Sequence, residues 1–129
     1  MRFTGLICCL ILLSGLMVAC SEAEPTPEPT PTLSTEQITG KQVFARECGS
    51  CHSVDDDTVI VGPAMGGIAT RAGTRVPGQD TSTYLYNSIL NPSDYVVDGF
   101  EDGLMPQTLA KQMTGEEMDA VIAYLLTLE

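Results

Sequence analysis

The chain has 129 residues and a formal net charge of −11, from 17 acidic and 6 basic side chains. That length allows one small domain and an extra segment. The acidic balance argues against nucleic acid or an anionic lipid surface as a partner, and permits steering towards a basic protein surface.

Met1-Arg2 supplies a short positive start, and residues 3–18 are almost wholly apolar. As a helix that run would span only ~24 Å, short of the roughly 30 Å hydrocarbon core. Residues 1–19 are therefore expected to be a signal peptide. The run Leu16-Met17-Val18-Ala19-Cys20 resembles a bacterial lipobox, which implies cleavage before Cys20 and acylation of its thiol. A plain signal peptide or an uncleaved anchor is the alternative. Loss of the leader removes Arg2 and leaves a net charge of −12. Residues 20–33 hold alternating prolines and little to bury. They predict an extended tether reaching on the order of 35–40 Å.

Residues 34–129 form the predicted domain. It opens on Ser34-x-x-Gln37, a capping box, followed by helix-compatible sequence to Glu47 in which Gly40, Phe44 and Cys48 share a face. Directly after comes Cys48-Gly49-Ser50-Cys51-His52, the attachment sequence of a c-type haem. Two thiols at this spacing can each form a thioether to one vinyl group of a porphyrin, with His52 carried beneath the iron. A redox dithiol would want a βαβ pattern, and a zinc site would want further ligands. Beyond Cys20 the chain offers no other cysteine, and His52 is its one histidine. With Cys8 and Cys9 lost in the leader, no pair remains for a disulfide.

A middle helix is predicted from Asp80 or Thr81 to Leu90, stopped by Asn91-Pro92. A last helix follows a second capping box, Thr114-x-x-Glu117, with Met118, Val121, Ile122 and Leu125 as its apolar stripe. Between the helices lie Gly- and Pro-rich segments without two-residue alternation, so no sheet is predicted. An all-α domain with long loops packed on one covalently bound haem follows.

His52 leaves only softer candidates for the second axial position: Met65, Met105, Met113 and Met118. Met113 and Met118 begin the last helix, where packing is the default role of methionine. Met65 follows His52 too closely to cross the ring. Met105 lies 53 residues downstream and is stiffened by Pro106, so it is the preferred ligand. A vacant or water-filled position is the alternative.

Gly40-Lys41-Gln42-Val43-Phe44 leading into Cys48-x-x-Cys51-His52, then Gly62-Pro63, Asn91-Pro92, Met105-Pro106 and Ala123-Tyr124-Leu125, resemble in their order the class I c-type cytochromes. The resemblance covers residues 34–129 and implies three to five helices around a single haem c. It implies that the Pro63 carbonyl accepts a hydrogen bond from His52, that Arg71 lies near a haem propionate, that Ile89 contacts the haem and that Tyr95 belongs to the ligand loop. It also implies that Gly40 and Phe44 pack on Tyr124 where the first and last helices cross. The stretch from Tyr95 to Met105 is longer than in the mitochondrial type. In this it is more similar to the cytochrome domains of bacterial respiratory complexes, such as haem-copper oxidases and the mono-haem lipoprotein subunit of alternative complex III. The lysine-rich docking face of mitochondrial cytochromes is missing, since only Lys41 and Lys111 occur in the domain.

The expected function is a membrane-tethered one-electron carrier with His/Met ligation, working with a membrane-bound oxidoreductase and an acceptor protein. It would lie on the extracytoplasmic side of a bacterial cell membrane, held by the lipid on Cys20, with no small-molecule substrate and no catalytic residue. The alternatives are a haem enzyme or gas-binding protein with an open sixth position, and a structural haem subunit.

Overall fold

The computed structural model describes residues 32–55 and 57–129. The expected leader, Cys20 and all but the last two residues of the expected tether lie outside them. Leu33, at the end of that tether, packs against the domain core.

Helix α1 spans Thr35–Glu47. Its start is fixed by a reciprocal cap: the Gln37 amide donates to Ser34 Oγ at 3.2 Å, and the Ser34 amide donates to Gln37 Oε1 at 2.8 Å. A one-turn helix, α2, covers Ile68–Arg71 and runs into a 3₁₀ turn at Ala72–Thr74. Helix α3 spans Thr81–Leu90, capped by Asp80, which accepts from the Thr83 amide at 2.7 Å. After a 3₁₀ turn at Leu109–Gln112, helix α4 spans Gly115–Leu125 behind the Thr114/Glu117 capping box. Among the described residues there is no strand, only an isolated antiparallel bridge between His52 and Val59. No described helix is long and apolar enough to cross a membrane.

The main packing contact is α1 across α4. It is close because Gly40 puts no side chain between them, and a Cβ there would fall 1.9 Å from the Ala120 carbonyl oxygen. One turn on, Phe44 meets Tyr124 edge to face, with centroids 5.8 Å apart. Val43, Ile68 and Val121 are the largest side chains sealed from solvent. Burying each stabilises the fold by about 1.5–3 kcal/mol.

At the edge of the crossing, Arg46 at the end of α1 reaches Glu117 in the first turn of α4, 2.7 Å apart. The Thr114 amide, and after it the Arg46 guanidinium, hold the Glu117 carboxyl below the usual carboxylate range. A carboxyl depressed by folding stabilises the native state above its unfolded pKa, about 4.3, and that contribution disappears as pH falls through the lower folded value. Glu117→Gln is thus expected to melt below the wild type at pH 7. The gap should close as thermal melts are repeated below about pH 4.

Candidate metal centre

The end of α1 delivers the haem-attachment sequence. Cys48 caps the helix, its amide donating to the Phe44 carbonyl at 2.8 Å, and the Cys51 and His52 amides then both donate to the Cys48 carbonyl, at 3.0 and 2.9 Å. This turn brings Cys48, Cys51 and His52 to the wall of one cleft. Neither cysteine is spent in a disulfide. Burial, followed by the nearby Glu47 and Cys51, pushes the Cys48 thiol up to about 11. A thiol held neutral in an apolar wall is a poor thiolate ligand or nucleophile. A thioether, which carries no ionisable proton, suits that wall.

His52 is fixed from behind. Its Nδ1–H donates to the Pro63 carbonyl at 2.7 Å, which sets the tautomer and leaves Nε2 as the free donor atom. The segment that carries Pro63 is tied to the motif: the Val61 and Gly62 amides donate to the Cys51 carbonyl at 3.1 and 2.9 Å, and the Met65 amide to Ser53 at 2.8 Å. Gly62 lies directly against the imidazole, because a Cβ there would sit 2.3 Å from His52 Cε1.

Another wall is the long loop after α3. It contributes Tyr95, Val96, Phe100, Leu104 and Met105, and turns at Gly99 and Gly103, whose positive φ values of 87° and 82° suit glycine. Ser93 Oγ donates to Asp102 and accepts from Gln107 Nε2, which ties the loop together on either side of Met105. Met65 also lines the cleft, but its backbone bond to Ser53 keeps it beside His52. Ile89, buried, and Tyr95 stand on the same lining.

The guanidinium in the cleft is that of Arg75, a residue the sequence did not single out. Arg75 Nη1 donates to the Tyr84 hydroxyl at 2.8 Å, and Tyr84 packs edge to face on Tyr95. Arg71, the expected propionate neighbour, is not among the residues lining the cleft, and its guanidinium donates to the Gly66 and Ala64 carbonyls. Removing Arg75 leaves the buried Tyr84 hydroxyl without its donor and takes a positive charge from the haem side of the cleft. Arg75→Leu is expected to cost about 1–3 kcal/mol in denaturant unfolding and to lower the reduction potential. Arg75→Lys should restore part of the potential.

The chemistry of this lining can be tested against candidate occupants. Among the described residues no group of three or more His, Cys, Asp or Glu side chains is placed to hold a metal ion by itself. A porphyrin fits: two thiols for its vinyl groups, a nitrogen and a sulfur for its iron, one guanidinium for its carboxylates and apolar walls for its faces. The cleft encloses about 1140 Å³, counting its open mouth.

Fold and cleft together define a helical haem protein of the c type. The chain belongs to the cytochrome c family, whose model, described as "Cytochrome c", matches residues 37–129. It has the all-α class I fold and carries a covalently attached haem c with its iron. It is 36% identical over 69 residues to "Cytochrome c type-1" of Ascaris suum, a match covering 44% of this chain and 62% of that protein. The chain thus spans less than two thirds of that relative's length. Among solved structures it is similar to an engineered cytochrome c from Rhodothermus marinus bound to a carbene intermediate, with 23% identity and a TM-score of 0.45 over 80% of this chain and 89% of the other. A second structure of that engineered protein gives 20% identity and a TM-score of 0.44, over 80% and 90%.

Proposed function

We propose that this protein is a one-electron carrier whose single haem is ligated by His52 and Met105, tethered to a bacterial cell membrane on its extracytoplasmic side. Its donor would be a membrane-bound oxidoreductase such as a quinol-oxidising complex, and its acceptor another redox protein. The observation that carries this reading is that His52 and Met105 line the same apolar cleft, Met105 on a different loop from the one tied to His52. The bound haem supplies a one-electron iron couple, and a methionine sulfur favours the ferrous state relative to a second imidazole.

The protein's share is positional. Pro63 holds the imidazole, and Ser93, Asp102 and Gln107 brace the loop that presents the sulfur. Ile68, Leu85, Ile89 and Leu125 keep water from the buried side of the cleft. With His52 and Met105 both holding the iron, substrate chemistry there would be disfavoured, and no acid or base is assigned a catalytic role.

The test is reversible redox titration of the full-length holoprotein, with reduction by quinol-fed membranes, followed by exposure of the ferrous form to carbon monoxide. Reversible cycling and a spectrum unmoved by carbon monoxide are expected. Immediate carbon monoxide binding would establish an open sixth position instead.

The tether rests on the sequence alone. In bacterial cells fed a labelled fatty acid, the wild type is expected to carry the label and to sediment with membranes. Cys20→Ala should lose the label, which checks the acyl attachment independently of whether the leader is retained.

A further inference from the structure

Two loops form the lips of the haem cleft. One, residues 53–55 and 57–61, folds back on the attachment sequence through the His52–Val59 bridge and is closed by Ser53 Oγ donating to the Thr58 carbonyl at 2.6 Å. The other, residues 93–106, carries Met105. Val61 and Leu104 line the cleft from the two lips. Outside that lining, Val59 and Ile60 face solvent on the first lip, 60% and 51% exposed. Two adjacent aliphatic side chains held in solvent beside a redox cleft offer apolar contact area to another molecule.

The two lips themselves carry charge of one sign. Asp55 and Asp57 are exposed on the first lip, and Asp98, Glu101 and Asp102 on the second, while neither stretch contains a lysine or arginine. Arg71 and Arg75 are engaged within the fold, on backbone carbonyls and on Tyr84 respectively. Lys41 and Arg46 belong to α1 and Lys111 to the 3₁₀ turn before α4, and none of the three lines the cleft. Like charge repels a second copy of this chain and an anionic membrane surface from the lips.

We infer that the two lips form a docking surface for a redox protein that presents an apolar centre ringed by lysines or arginines, the reverse in sign of the lysine-rich docking face. The aliphatic side chains supply contact area and exclude water, and the carboxylates supply orientation and encounter rate. The inference rests on the electron-carrier reading for its purpose, and on the charge and exposure of the lips for its geometry.

The test uses the holoprotein labelled with ¹⁵N, held ferrous, and titrated with a ferrous lysine-rich mitochondrial cytochrome c as the probe. Two triple variants, each losing three negative charges, are compared. Asp55→Asn, Asp57→Asn and Glu101→Gln neutralise the lips. Glu36→Gln, Glu116→Gln and Asp119→Asn neutralise α1 and α4, at exposed positions outside the capping bonds and the cleft lining. At about 10 mM salt, amide shifts are expected in 53–62 and 93–106, fading towards about 0.3 M. The lip variant should weaken the dissociation constant roughly tenfold, and the other variant less than about twofold.

Equal weakening by both variants would mean that net charge alone drives association, and would overturn the inference. So would shifts centred on another face, or no binding at low salt. Because neither protein changes oxidation state, failure of electron exchange in a separate experiment would count against the carrier reading and leave this result standing.

Discussion

Met105→Leu is expected to abolish the weak near-red sulfur-to-iron band of the ferric protein and to lower its reduction potential by on the order of 0.1 V or more, axial ligands spanning about 0.8 V among haem proteins. The volume change is small, and Met105 is only half-buried at the edge of the core. The fold should therefore lose less than about 1.5 kcal/mol, so the spectral loss can be separated from unfolding by the retained far-ultraviolet dichroism. The emptied position should also become open to carbon monoxide in the ferrous state. Met65→Leu is the internal control. Both sulfurs line the cleft, but Met65 is tied through Ser53 to the His52 side, whereas Met105 rides on the loop braced by Ser93 and Gln107. A band that survives in Met105→Leu and vanishes in Met65→Leu would reassign the ligand.

What could be read from the sequence was what is encoded locally. Ser34/Gln37 and Thr114/Glu117 each lie three residues apart and fix the starts of α1 and α4 with their own atoms, so the capping boxes were visible. Asn91-Pro92 ends α3 by excluding the helical conformation before proline, again a neighbour effect. The attachment sequence is legible for the same reason.

Helix α2 and the turn after it were not visible. A four-residue helix has no period to detect, and α2 is held from outside, by the Ala69 amide donating to the Leu128 carbonyl at 3.0 Å. The different settings of Arg71 and Arg75 were hidden in the same way. They lie four apart across the junction of α2 and the 3₁₀ turn, and what separates them is tertiary: carbonyls of the 64–66 stretch for one, Tyr84 on α3 for the other. The contact of Gly62 with the His52 ring was equally hidden, since Gly62-Pro63 in sequence pointed only to the proline carbonyl.

Gly40→Ala is expected to destabilise the protein by at least ~3 kcal/mol, although alanine is the better helix former by about 1 kcal/mol. The reversal of sign is the point of the experiment. Helix propensity acts wherever space is free, as at Gly115, where an added Cβ meets nothing within 4 Å. Gly115→Ala should leave stability within about ±0.5 kcal/mol or raise it. At Gly40 the added carbon would meet the Ala120 carbonyl oxygen at 1.9 Å, its carbon at 2.5 Å and Tyr124 Cβ at 2.8 Å. Two of those atoms are backbone of α4 and cannot rotate away, so relief requires the two helices to move apart. Separation loosens the Phe44–Tyr124 contact and the burial of Val43 and Val121. It also shifts the end of α1, whose cap Cys48 shares the cleft lining with His52, Met105 and Leu125. Denaturant unfolding of the two alanine variants, with covalent haem yield measured on the same preparations, checks both consequences. Gly40→Ala with wild-type stability and full haem content would show that the helix crossing is not the tight contact described.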